Sequence, residues 1–404
     1  MAQDRFRVRA SGDYTQSRST RFVGATGKLA VLLVVLLQIP VVTAHGEAES
    51  TALSQSHGLA AIFVGLALVG GAVALKRTER ITPTTALYAA FAGLAVVTIG
   101  AMVFDGLAPD ASYSASTMPI PRSWYPPMAL LTGVGIAVVS FVVGWLKWPG
   151  RPRYTSLGIL IGLWVAYPTL IPGPASTTNP LGYVIVLATP VLLGYIVWKD
   201  AQDGIRVALH DATARRFGIG VGFLLAMYFS ALSGYLTFFP SEGSPHHTIV
   251  SIETVQYQLV QWPTLEVFLP QVPFFVAVSI GSVVLVGSLS TLVGLNAALI
   301  AYQWRSERVA IAGTTEGTAG TSAIVGSCAC GCCGPIVAQV VVLVAGPSIA
   351  APLYWVFVDS KSPFTMLFLV ASIGLFTGGL VYATKQASDF GAPVTSSPAA
   401  VNDG

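Results

Sequence analysis

The feature that most constrains this chain is the recurrence, along its 404 residues, of apolar runs about as long as a bilayer is thick. A hydrocarbon core roughly 30 Å deep is crossed by about twenty helical residues rising about 1.5 Å each. Such runs occupy residues 29–44, 58–75, 84–104, 128–146, 155–173, 181–198, 217–239, 272–304, 323–346 and 364–384. Polar or Pro-bearing breaks separate them. With 53% hydrophobic against 10% charged residues, a soluble fold is excluded. The expected fold is therefore all-α: a polytopic integral membrane helical bundle of ten apolar segments. The run 272–304 exceeds one crossing and predicts a helix that tilts strongly or projects beyond the bilayer.

The first run follows a basic stretch carrying Arg5, Arg7, Arg9, Arg18, Arg21 and Lys28, and it ends at Pro40 and the small-residue pair Val42 and Ala44. This order reads as a signal peptide over 1–44, with an uncleaved signal anchor as the competing reading. Cleavage after Ala44 would leave nine mature transmembrane helices within 45–385 and a polar tail over 386–404.

Lys and Arg set the expected orientation. When loops are assigned alternately to the two sides, 19 of the 21 basic residues fall on one side, and only Arg122 and Lys361 fall on the other. The majority side is expected to be cytoplasmic, which puts the mature N-terminus outside a cell membrane and the C-terminus inside. The net charge of +3 is thus a matter of membrane topology and not a nucleic-acid footprint.

No Asp, Glu, Lys, Arg or His lies near a span centre, which disfavours ion-coupled transporters that rely on buried charges. Small residues are plentiful instead. Gly287, Thr291, Gly294, Ala298 and Ala301 fall at helical spacing and predict a close packing face, and Gly218, Gly220 and Gly222 receive the same structural reading. In the cytoplasmic loop 199–216, Ile205, Leu209 and Ala212 predict a short helix on the inner leaflet. The external loop 240–270 contains Val255, Tyr257 and Leu259, whose spacing suits either a strand or, with Ile252, a helix.

All four cysteines lie in Cys328-Ala329-Cys330-Gly331-Cys332-Cys333-Gly334-Pro335. Thiolates select Cu(I), Zn(II) or iron-sulfur clusters, and flanking glycines give a backbone free enough to converge sulfurs on one ion. A cluster spread over so few residues suits one Cu(I) better than an iron-sulfur centre. Two alternatives remain open: Cys330 and Cys333 cycling as a C-x-x-C dithiol, and cysteines serving as small apolar filler. The Cys-Cys-Gly-Pro run resembles the vicinal Cys pair of small mercuric-ion transport proteins, in which such a pair sits in an early span, one residue further from its Pro. The resemblance implies that vicinal thiols in a span can relay a soft cation.

If residues 1–44 are removed, His45 presents both an α-amine and an imidazole, which together suit Cu(II). His57, His246 and His247 fall on the same external side, while His210 is internal. The sequence His45-Gly46-Glu47 is similar to the processed start of the B subunit of particulate methane and ammonia monooxygenases, which implies copper at His45. This chain lacks an external region long enough for that family's cupredoxin domains. Without the metal, His57 is read as a cap on its helix and His246-His247 as a solvated pair.

The expected function is to bind, sense or transport a soft metal ion, copper first, through Cys328, Cys330, Cys332 and Cys333 and the external residues His45, His57, His246 and His247. The alternatives are a membrane thiol-disulfide oxidoreductase and a non-catalytic subunit or assembly factor of a larger membrane complex. There is no phosphate-binding loop and no H-E-x-x-H pair, and no two His lie within spans to ligate a haem; an enzyme is the less favoured reading.

Overall fold

A computed structural model describes residues 54–108, 118–171, 173–238, 247–270, 274–306, 340–342, 347–357 and 362–391. The chain is mostly helical. Its helices are α1 (Gln55–Arg77), α2 (Pro83–Gly106), α3 (Tyr125–Lys147), α4 (Pro152–Leu170), α5 (Pro180–Asp200), α6 (Gln202–His210), α7 (Ala212–Leu232), α8 (Ile280–Arg305), α9 (Pro347–Phe357) and α10 (Pro363–Gly391). Among the described residues seven helices are long and apolar enough to cross a membrane: α1, α2, α3 with its preceding turn, α5, α7, α8 and α10 up to Lys385. Helix α4 opens on Arg153, Tyr154, Thr155 and Ser156 and is less apolar, but it packs along α3 over its length.

The helix starts follow local chemistry. Pro83, Pro152, Pro180 and Pro363 occupy first helical positions, where the missing N–H costs nothing. Thr82, Asn179 and Asp211 accept from the N–H of Thr85, Leu181 and Ala214 at 3.2, 2.9 and 2.8 Å. At α8, Ser279 and Ser282 cap each other reciprocally, with backbone-to-hydroxyl bonds of 3.0 and 3.1 Å.

Three antiparallel pairs are sealed by glycine. A Cβ on Gly65 of α1 would lie 2.6 Å from the Gly93 carbonyl of α2, and one on Gly133 of α3 would lie 2.5 Å from the Gly162 carbonyl of α4. Between α7 and α8 the contact is Gly218 and Gly222 against Gly294, Ala298 and Ser290. Helices in lipid associate through such close van der Waals contact, because lipid tails give no hydrophobic drive between them. The predicted stripe on α8 is therefore present at Gly294, Ala298 and Ala301, whereas Gly287 meets nothing within 4 Å and Thr291 is exposed. Asn296, buried on α8, adds a polar tie, donating to the Phe376 carbonyl of α10 at 3.1 Å.

The run 272–304 is not one overlong helix. Its first part is strand β4 (Phe274–Ser279), and α8 begins only after the Ser279 cap. The run 217–239 likewise ends as a helix at Leu232; Gly234 turns the chain at φ 74°, and β1 (Leu236–Thr237) pairs with β4. With β2 (Ile249–Tyr257) and β3 (Val260–Leu269) these form an antiparallel sheet in the order β1-β4-β3-β2. Long-range strand pairing diverts both apolar runs from helix.

Candidate functional site

Salt bridges and ring contacts show which helix ends lie together. Arg153 at the start of α4 makes a bidentate pair with Asp200 at the end of α5, at 2.5 and 2.6 Å. Arg305 at the end of α8 pairs with Asp211, the cap of α7. The Lys76 ammonium sits 5.1 Å over the Trp304 ring, joining the end of α1 to the end of α8. Helix α6 spans from Asp200 to Asp211 at this same end, its Gly204 pressed against Thr384 of α10. Every Lys and Arg among the described residues except Arg122 lies at or beside this end, which we call the basic end.

The short helix expected in the loop 199–216 is α6, and its apolar face packs on the helix bundle. Ile205 and Ala208 are buried in the main core and Leu209 packs on it, because Gly204 has no Cβ to hold the helix off α10. Ala212 belongs to α7.

Of the predicted metal ligands, Cys328, Cys330, Cys332, Cys333, His45 and His246 lie outside the described residues. His57 and His247 are both exposed. His57 is the third residue of α1, and its Nδ1 accepts the Ser54 backbone N–H at 3.1 Å, which is the capping role. No group of three or more His, Cys, Asp or Glu that could share a metal ion occurs among the described residues.

The other end carries a feature that the sequence pattern did not reveal. Strands β2 and β3 form a hairpin whose last pair is Tyr257 with Val260. Gln258, at φ 57°, supplies the left-handed residue that a two-residue turn needs. The tip enters the helix bundle: Leu259 and Val260 are buried and join the same core as Trp164, Ile185 and Leu289. Away from the tip, Val250 and Ile252 are 65% and 74% exposed. Small residues make room for the tip, since a Cβ on Gly182 of α5 would strike Val260 and the Tyr167 ring, and one on Gly281 of α8 would strike Trp262. The hairpin is also tied down by Tyr183, which donates to the Gln261 carbonyl at 2.6 Å and stands edge-on to Trp262.

Beside the tip lies a cavity of about 720 Å³ between α3, α4, α7, α8 and α10, a volume typical of small-molecule sites. Its lining combines polar residues, among them Arg122, Tyr235, Gln256, Gln258 and Ser176, with apolar ones, among them Phe229, Leu285, Leu289, Met366 and Leu369. Burial pushes the Tyr257 phenol up to about 12 and raises Tyr235 beside it, so both remain neutral at physiological pH. The two rings meet edge-on at 4.8 Å. Arg122 is the only charged side chain among the described lining residues, and its guanidinium lies 5.3 Å over Trp355. The described lining has no carboxylate, imidazole or thiol. Its phenol, amide and hydroxyl groups can hold a molecule by hydrogen bonding.

No protein-family model, curated protein or solved structure matches this chain.

Proposed function

We propose that this is an integral membrane protein that binds or moves a soft metal ion, copper first, through thiolates of Cys328, Cys330, Cys332 and Cys333. One observation carries the reading. Ser306 closes α8 at the basic end, while Trp355 of α9 lies against Arg122 at the opposite end. The chain between them holds every cysteine of the protein, so the thiols belong to the connection between the two ends. Four thiols in so short a stretch favour Cu(I) over harder ions.

The bunching of basic residues at one end supports a cytoplasmic basic end, an external opposite end and a cytoplasmic C-terminus. In that orientation His45, His246 and His247 are external donors for incoming copper, with His45 made available by removal of residues 1–44. His57 would join them through Nε2, its Nδ1 being engaged by Ser54. The charged side chains of the described spans lie toward helix ends, as Arg153, Asp200 and Arg305 do, which suits a relay through neutral soft ligands better than one through carboxylates.

The test is purification under anaerobic, reducing conditions, with metal analysis of the native chain and of a variant with all four cysteines changed to Ser, and sequencing of the mature N-terminus. Stoichiometric copper lost in the variant supports the reading, and a chain starting at His45 supports the external ligands. Metal-free protein that forms a disulfide on oxidation would replace it with thiol-disulfide exchange. Metal-free protein with inert thiols would leave a non-catalytic subunit or assembly factor.

A further inference from the structure

Where β4 runs into α8, the sheet turns outward the side chains that a sheet bathed in water would hide. Successive strand residues face opposite sides, and the register sorts them. Ile252 pairs with Leu265 and Leu265 with Val278 on one side, while Glu253 pairs with Thr264 and Glu266 with Ala277 on the other. The aliphatic row is the open one: Ile252 is 74% exposed and Leu265 and Val278 are each 45% exposed, whereas Thr264 and Ala277 are buried. An antiparallel sheet with one face in water carries polar side chains on that face, yet both carboxylates of these strands lie on the side away from the open row. The row continues into α8. Ile280 and Val283 are each 58% exposed, and they share with Ile252, Leu265 and Val278 the wall of one groove of about 400 Å³. Helix and sheet therefore look into the same space. Among the described lining residues only Ser279 is polar, and its hydroxyl is engaged by Ser282 in the cap of α8.

We propose that this row and the first turn of α8 rest against the acyl chains of the leaflet at the end opposite the basic cluster, so that the sheet anchors the protein in the membrane beside its spans. The proposal rests on the reading of α8 as a span. Continuity is the first argument: α8 is long and apolar enough to cross a membrane, and the groove shows that its open side and the strand row meet the same surroundings. Length is the second. The 26 residues of α8 extend roughly 39 Å at about 1.5 Å per residue, close to the roughly 40–45 Å of a bilayer with its headgroups. With Arg305 at the basic end, Ile280 and the end of β4 fall at the opposite headgroup boundary. Composition is the third. A protein partner is held by aromatic or Arg anchors and by hydrogen bonds, and the described groove lining offers no such anchor and no hydroxyl outside the α8 cap. Acyl chains need neither. Strand β2 forms one edge of the sheet, and its outward N–H and C=O groups require water or headgroups. The backbone therefore stays at headgroup level while the aliphatic side chains enter the acyl layer.

The experiment places the photo-crosslinker p-benzoylphenylalanine in the full chain at one position at a time, Leu265, Glu253 or Leu131. Each protein is reconstituted in phosphatidylcholine liposomes and irradiated, and the adducts are identified by mass spectrometry. Leu131 of α3, 78% exposed, reports a span surrounded by lipid. At Leu265 acyl-chain adducts are expected at a yield comparable to that at Leu131 and at least about tenfold above that at Glu253. The melting temperature shows whether the label at Leu265 is tolerated; if it is not, Ile252, the more exposed member of the row, takes its place. Crosslinking of Leu265 to a second copy of the chain, attachment to lipid headgroups alone, or a yield no higher than at Glu253 would each overturn the proposal. Adducts at Leu131 with none at Leu265 would sink this inference and leave the spans standing, whereas none at either position would remove the membrane reading beneath it. Changing all four cysteines to Ser should leave the pattern intact, so the result is separate from copper binding.

Discussion

At the basic end Arg153 grips Asp200 and Arg305 grips Asp211, whereas at the opposite end a β-hairpin enters the helices with Tyr257, Leu259 and Val260. The first arrangement uses charges at helix termini, which membrane topology requires there in any case. The second uses shape: glycines at 182 and 281 clear space, and aromatic rings fill it. The contrast teaches that one chain can anchor one end by charge pairing and the other by buried packing, and the two should fail under different conditions.

The largest expected effect comes from placing a charge at the hairpin tip. Val260 is fully buried, so Val260→Asp should cost on the order of 3–5 kcal/mol, as unpaired buried charges do. On the open part of the same strand pair, Val250→Asp should cost no more than about 0.5 kcal/mol. Thermal melting of both in detergent measures the difference, and equal losses would show that the tip is not seated in the bundle.

The two ends should also separate by pH. The Tyr257 phenol is raised from 10.0 to about 12 by burial, so its contribution is complete below pH about 10 and is lost as pH climbs toward 12, a change of roughly 2–3 kcal/mol. For Asp211, burial pushes the carboxyl up, but the Ala214 N–H and Arg305 outweigh it and hold it below its usual value. Its contribution is present above the ordinary carboxylate range and is lost as pH falls through the lowered value. Hydrogen exchange should show residues near Tyr257 loosening in alkali and residues near Asp211 loosening in acid. The reverse order would break the comparison.

Within the basic end, burial should rank the ion pairs. The Asp200 side chain is 5% exposed and that of Asp211 is 24% exposed. Asp200→Asn should therefore cost about 1.5–3 kcal/mol, and Asp211→Asn about 1 kcal/mol or less. Chemical denaturation of the two variants checks the ranking. Smallest of all, Gln258→Gly should change stability by about 1 kcal/mol or less, because Gly relieves the positive φ of the turn at the cost of a more flexible unfolded chain. A larger loss would assign the Gln258 side chain a packing role at the tip.

Much of the helical architecture was legible because lipid leaves few alternatives: a long apolar run must satisfy its backbone internally, and helix is the local way to do so. The glycine faces at 218, 222 and 294 were legible for a related reason, since only small side chains allow close approach in lipid. The sheet was not. Val255, Tyr257 and Leu259 fit two periodicities, and Phe274 to Val278 merged with the helix behind them. The Ser279-to-Ser282 spacing is a cap signal that could have marked the true start of α8. Nor could spacing reveal the cavity, whose lining is drawn from residues as distant as Arg122 and Ser372.

By itself, then, the sequence determined the membrane class, most of the helices, the gathering of basic residues at one end and the concentration of thiols in one connection. Each follows from composition or from contacts local in the chain. Tertiary structure alone decided that one apolar run ends in a strand and another begins in one, that α6 packs on the bundle and that a hairpin tip and five helices line a common cavity. Those outcomes depend on pairings between residues far apart in sequence, whose free energy no local pattern records.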